Sequence, residues 1–172
     1  AFGLNQSTMK IEGMAEYYHS GRESATQKPP SEYAKDFVSF YKYIEDLMNG
    51  GKTGGQRKKI EAVFIDPSAR GLAEEIKRIL PEARIVPADN RVALGIERTQ
   101  KMFSFFKLFL NRTQEHLIDE MDLYKYNKDL LDKGKEEVIK QNDHCCDALR
   151  YYIMGMWKYL KMLLPYTERG DK

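Results

Sequence analysis

Residues 59–80 read KIEAVFIDPSARGLAEEIKRIL. The first part is short, apolar and rich in β-favouring side chains, and it closes on Asp66. Pro67 follows, where its fixed φ and missing N–H suit the first turn of a helix. SARGLAEEIKRIL then predicts that helix, so the chain here runs from strand straight into helix. The order recurs. RIVPAD (84–89) predicts a strand and RVALGIERTQKMF (91–103) a helix, FFKLFL (105–110) an apolar strand and RTQEHLIDEMDLYKYN (112–127) another helix. On the other side, AFGLNQ (1–6) and MKIEGMAEYYH (9–19) predict a β-hairpin turning at Ser7 and Thr8. Ser31 is the expected cap of an amphipathic helix over 31–48, in which Tyr33, Phe37, Phe40, Tyr41, Ile44 and Leu47 recur at helical period. NKDLLDKGKEEVIKQ (127–141) reads as a charged connection into a last helix that opens at Asp143. Strands alternating with helices behind a hairpin predict an α/β fold: a mixed sheet flanked by helices, with sites gathered at the carboxyl ends of strands.

Bulk properties narrow the classes of function. With 172 residues, 42% hydrophobic and 12% aromatic, the chain suits a single domain over 1–172 around one core. A formal charge of +2 means that a nucleic-acid partner must be held by a local basic patch and not by the field of the whole molecule. Cys145 and Cys146 are adjacent, which suits neither a disulfide nor a zinc ligand set, and a reducing compartment is expected. No apolar run approaches the ~20 residues of a membrane helix and no signal peptide is visible. A cytoplasmic, soluble protein with no membrane partner is the expectation.

The acidic residues are the candidates for chemistry. Asp66 ends a strand; Asp143, His144 and Asp147 share one side of the last helix, opposite an apolar stripe of Cys145, Leu149, Tyr152, Ile153, Met156 and Leu160. If Asp66 and Asp147 converge, their hard carboxylate oxygens suit Mg²⁺ or Mn²⁺, and such ions activate a water for phosphodiester cleavage. His144 would bind a borderline metal such as Mn²⁺ or orient that water. Each has a plainer role: Asp66 as a helix cap, Asp143 as a complement to the helix dipole, His144 as an idle surface imidazole. Glu16 either faces the same cleft or is a solvent-facing strand residue. Lys52, Arg57, Lys58 and Lys59 sit in a glycine-rich loop, where they would follow a DNA backbone through phosphate contacts or simply be solvated. The GKT at 51–53 is not a P-loop, because Asp46 stands where the motif needs its first glycine and the loop follows a helix. Tyr17, Tyr18, Phe103, Phe105, Phe106, Tyr151 and Tyr152 are expected in the core and not on a base-stacking platform.

In order, EYYHSGRE with EYAKDF, VFIDPSARGLAEEIKR, ADNRVALGIERTQKMF and DHCCDALRYYI resemble the nuclease domain of phage terminase large subunits, in the branch shared with defective Bacillus prophages. The resemblance spans nearly the whole chain. It implies a ribonuclease H-like fold and a metal-dependent endonuclease that cuts concatemeric double-stranded DNA. The implied partners are DNA, the terminase small subunit, the portal and a separate ATPase domain. By position, Asp66 matches the family's second catalytic carboxylate, Asp147 its third and His144 the nearby histidine. Asp143 is the variable first acid of D-H-x-x-D-A-x-R-Y, Arg150 and Tyr151 are structural members of that motif, and Glu120 matches an acid without an assigned role. The family's first catalytic Asp belongs to a central strand just ahead of the segment that AFGLNQ resembles. The resemblance therefore implies a fragment or gene remnant whose sheet lacks its middle and whose two-metal chemistry is crippled, with Glu16 as the one conceivable substitute. A non-catalytic module that binds DNA, portal or another terminase chain is the competing expectation.

Overall fold

In a computed structural model of the chain, residues 1–21, 26–50, 57–125 and 143–170 are described. They belong to two compact units, Ala1–Glu16 with Asp89–Lys172, and Tyr17–Ala88.

The first unit begins with the hairpin, β1 (Phe2–Asn5) and β2 (Lys10–Gly13), antiparallel with Phe2 opposite Gly13. Asn5 makes the turn where the sequence predicts it: its Oδ1 accepts the N–H groups of Ser7 (3.0 Å) and Thr8 (3.3 Å), a side-chain mimic of a backbone turn. The second strand is shorter than expected, ending at Gly13. β5 (Leu108–Phe109) joins β2 in parallel and aligns Ile11 with Leu108, both buried. Between them in sequence lies α3 (Val92–Ser104). The predicted strand over 105–110 shrinks to two residues, because Phe105 and Phe106 close α3 through bonds to Lys101 O (3.1 Å) and Phe103 O (2.9 Å). Phe106 takes a left-handed φ of 52° to leave the helix and is 72% exposed. α4 (Glu115–Leu123) and α5 (His144–Leu160) complete the unit. α5 packs on α3 and α4, and the core gathers Ile11, Met102, Leu117, Leu149, Ile153 and Trp157.

The second unit is built from α1 (Pro30–Asn49), β3 (Val63–Ile65), α2 (Arg70–Ile79) and β4 (Ile85–Pro87). β3 and β4 are parallel, Val63 opposite Ile85, and α1 packs on α2. Ser31 is not the cap of α1. The helix starts one residue earlier at Pro30, with Pro29 in the cap position and its carbonyl accepting Glu32 N at 3.0 Å, because proline at the first position leaves no N–H to satisfy. The buried stripe is Ala34, Val38, Tyr41 and Ile44. Tyr33 and Phe40 lie beside it, drawn onto His19 and Tyr17 at ring distances of 5.5 and 6.1 Å, and Leu47 is 47% exposed.

The α/β reading holds, with five helices among the described residues. The strands form a three-stranded mixed sheet, β1-β2-β5, and a separate two-stranded one, β3-β4. No helix among the described residues is long and apolar enough to cross a membrane. The charged connection over 127–141 lies outside the described residues, as does most of the GKT loop at 51–53 and its neighbours.

Candidate functional site

The acidic turn at the start of α5 is set in place by two other carboxylates. Glu16, just after β2, has a side chain only 10% exposed and sits at the N-terminus of α4. Its Oε1 accepts His116 N (3.0 Å) and pairs with His116 Nδ1 (2.8 Å), and its Oε2 accepts Leu117 N (2.9 Å). A helix start leaves N–H groups without intrahelical partners and carries partial positive charge, so a carboxylate there is doubly favoured. Glu16 is therefore neither a solvent-facing strand residue nor an open ligand. It is the cap that ties the hairpin to α4.

Glu120 repeats the device one helix later. It lies on α4, is 6% exposed, and its Oε2 accepts Cys145 N (2.6 Å) and Cys146 N (3.0 Å) at the start of α5. Asp143 occupies the cap position of α5 but makes no capping bond with its side chain, since Glu120 already takes the first amides. Its backbone oxygen accepts Asp147 N at 2.8 Å. Burial, reinforced by Glu120, pushes the Cys146 thiol up to about 12 and raises Cys145 as well, so neither is poised as a thiolate.

On the first turns of α5, His144 is exposed and Asp147 half-buried. Asp147 Oδ1 receives Arg150 Nη2 at 2.7 Å. Arg150, 4% exposed, lies among the buried residues of the helix with Tyr151, Met154 and Trp157, so the buried face is broader than the predicted stripe; Cys145, Tyr152 and Met156 are only half-buried. Burial is the largest single influence on the Arg150 charge and works against it, but the hydrogen bond to Asp147, the Asp147 charge and the charges of Tyr151 and Tyr124 together raise the guanidinium pKa. A cavity of about 170 Å³ adjoins, lined by Phe103, Met121, Tyr124, Leu149 and Arg150 among others. Burial, then the Asp147 charge, pushes the Tyr124 hydroxyl up to about 12.

In the second unit Asp66 stands at the carboxyl end of β3, half-buried. Its Oδ1 accepts Ser68 N at 2.7 Å, capping the short turn Pro67–Ala69 that leads into α2. The capping role is thus present. Among the described residues no three of His, Cys, Asp and Glu gather closely enough to hold a metal. Arg57 pairs with Asp46 at 2.9 Å on the surface, and the backbone of Lys58 is braced by Asn49, its N–H to Oδ1 at 2.8 Å and its carbonyl from Nδ2 at 3.0 Å. Lys59 is exposed, and Lys52 lies outside the described residues. Of the aromatic set, Tyr151 is buried and Phe103, Phe105 and Tyr152 pack against the core, whereas Tyr17 and Phe106 are exposed at 41% and 72%.

Sequence reasoning leaves Glu120 without a role, misplaces Glu16 and passes over Gly95. The available signals are a glycine inside a helix, which costs about 1 kcal/mol against alanine unless something needs the space, and a helix start whose own cap residue is not used.

The profile of the family described as "Terminase RNAseH like domain" matches residues 2–154. Among solved structures, the large terminase of a thermophilic bacteriophage in complex with ATP-γ-S superposes with a TM-score of 0.74 at 26% identity, over 88% of this chain and 34% of that one. A second crystal form of the same terminase gives a TM-score of 0.77 at 24% identity, over 91% of this chain and 35% of that one. The chain thus spans about a third of the length of those structures. No curated protein matches. The match takes in the strand-Asp-Pro-Ser element, the glycine of α3 and the whole acidic turn of α5, and the chain belongs to the family of terminase RNase H-like domains.

Proposed function

We propose that this chain is the metal-dependent endonuclease domain of a viral DNA-packaging terminase, a single nuclease-like domain over 1–172 that cleaves concatemeric double-stranded DNA. The observation that carries the reading is the family match over both Asp66 and Asp147, each half-buried, one at the carboxyl end of β3 and one in the first turn of α5. Their chemistry fits Mg²⁺ or Mn²⁺. These hard cations take carboxylate oxygens, and Mg²⁺ keeps several waters, so few protein ligands suffice. Bound there, such an ion supplies Lewis acidity and a water activated for attack on phosphorus. Asp66 and Asp147 hold it, and His144, exposed beside Asp147, ligates or orients the attacking water. Lys52, Arg57, Lys58 and Lys59 contact the DNA backbone without reading sequence. Arg57 would first exchange Asp46 for a phosphate, a small step because an exposed pair is worth at most ~1 kcal/mol. The small subunit, the portal and an ATPase domain are the partners, in the cytoplasm of a bacterial host.

Plasmid nicking with Mn²⁺ by the unmodified chain and by Asp147→Ala tests the reading. Loss of nicking in the variant supports it, and equal nicking removes Asp147 from the site. The second reading is a non-catalytic module that binds DNA, portal or another terminase chain. DNA retardation without any nicking in Mn²⁺ would select that reading.

A further inference from the structure

The ion pair between Arg150 and Asp147 is unlike an ordinary surface pair three residues apart. Its two side chains are 4% and 31% exposed. The carboxylate can reach solvent and the guanidinium cannot swing away. The stem of Arg150 lies where a side chain on Gly95 would be: a Cβ there would meet Arg150 Cγ at 2.4 Å and Cδ at 2.7 Å, closer than any real contact. The guanidinium carbon lies 4.8 Å from the centre of the Tyr151 ring. A glycine of α3 and an aromatic ring of α5 thus confine one arginine whose Nη2 points at Asp147.

That arginine is only partly satisfied. Its Nε and Nη1 are buried with no hydrogen-bond partner among the described residues. A buried guanidinium with two of its three nitrogens unbonded leaves part of its donor capacity unmet, which a residue kept only to fill space would not need to do. What the arginine supplies, and an apolar chain would not, is a fixed donor to Oδ1 of Asp147. No other hydrogen bond to that carboxylate occurs among the described residues.

We propose that Arg150 is a positioning residue: held by Gly95 and Tyr151, it grips Oδ1 of Asp147 so that the carboxylate presents its other oxygen to the divalent cation in one orientation. This rests on the nuclease reading of Asp147. It also gives a physical reason for the company the sequence elements keep, since the glycine of ADNRVALGIERTQKMF makes the room in which the arginine of DHCCDALRYYI works.

The test compares the full chain with Arg150→Met, Arg150→Lys, Asp147→Asn and the Asp147→Asn/Arg150→Met double variant. Mn²⁺ affinity is read by electron paramagnetic resonance, kcat and KM by plasmid nicking, and stability by urea unfolding. Arg150→Met is expected to lower kcat and Mn²⁺ affinity each by roughly 10-fold or more, the scale of a misplaced catalytic group, with KM for DNA unchanged and a single cooperative urea transition showing that the variant still folds. Arg150→Lys should recover part of the Mn²⁺ affinity. In the Asp147→Asn background, Arg150→Met should change nothing further, because the two side chains act as a unit. Wild-type kcat and affinity in Arg150→Met, or losses that add in the double variant, would overturn the inference and leave the nuclease reading standing. A rise in Mn²⁺ affinity, expected if the guanidinium only competes with the cation, would overturn it too. If Asp147→Asn itself leaves Mn²⁺ binding and nicking untouched, or the unmodified chain binds no Mn²⁺, the nuclease reading fails and this inference with it.

Discussion

Replacing Glu120 should loosen the start of α5 by an amount that can be worked from its contacts. Its carboxylate accepts two backbone N–H groups, at 2.6 and 3.0 Å, and is 6% exposed. Hydrogen bonds to a charged group contribute about 1.5–3 kcal/mol each, and loss of a helix cap costs about 0.5–2 kcal/mol. Against this, Glu120 Oε1 is buried without a partner among the described residues, so the native side chain already carries a desolvation penalty that the substitution removes. The net for Glu120→Ala is about 2–3 kcal/mol destabilising, or roughly 4–12 °C in Tm for a chain of this size. Glu120→Gln keeps one acceptor but buries an amide nitrogen, and a loss of about 1–2 kcal/mol is expected. Trp157 makes the assay direct: it is the only tryptophan, it is 6% exposed, and it lies on α5 itself. Urea unfolding followed by its fluorescence gives the stability change, and hydrogen exchange should show the amides of Cys145 and Cys146 losing protection ahead of the rest of the helix. If Glu120→Ala stayed within about 0.5 kcal/mol of the unmodified chain, as an ordinary surface change does, the capping role would be refuted.

Glu16→Ala should lower stability by a similar ~2–3 kcal/mol and expose the first amides of α4 to exchange, since three donors converge on that carboxylate; a change under ~0.5 kcal/mol would contradict it. The two thiols should resist alkylation at pH 8 in the folded chain and react at ordinary rates in urea, because burial raises both pKa values and Cys146 is 8% exposed. Rapid labelling of the native chain by iodoacetamide would show that burial to be wrong.

What can be read from the sequence is whatever depends on neighbours in the chain. Asn5 and its turn, Pro67 after a strand, and the period of α5 are local signals, and the hairpin, the β3-to-α2 step and the last helix form where they point. The strand over 105–110 fails on one residue, Phe106, whose left-handed φ nothing in an aromatic run announces. Glu16 is misjudged, and Glu120 is left without a role, for a different reason. Their partners lie 100 or 101 and 25 or 26 positions away, and no local pattern tells an acid that will cap a distant helix from one that will face solvent. The motif around α5 is legible as a list of residues but not as a mechanism, because Arg150 needs Gly95 from another helix to be confined.

The acids of this chain therefore divide by what their oxygens already hold. Glu16 receives two backbone amides and the His116 ring, and Glu120 receives two backbone amides, so turning either toward a cation would uncap a helix at a cost of about 1–3 kcal/mol for each buried N–H left bare. Glu16 is accordingly a poor choice for a further carboxylate ligand, even though its side chain is acidic and close to the hairpin. Asp66 and Asp147 each hold their local partner through Oδ1, and for Asp147 that partner is a side chain and not a helix start. Ligation by either would leave both helix caps intact. On this accounting Glu16 and Glu120 form a relay, hairpin to α4 and α4 to α5, whose outcome is the direction of the first turn of α5. A variant of either glutamate should then impair any chemistry at Asp147 in proportion to the disorder it brings to that turn, and never by removing a ligand.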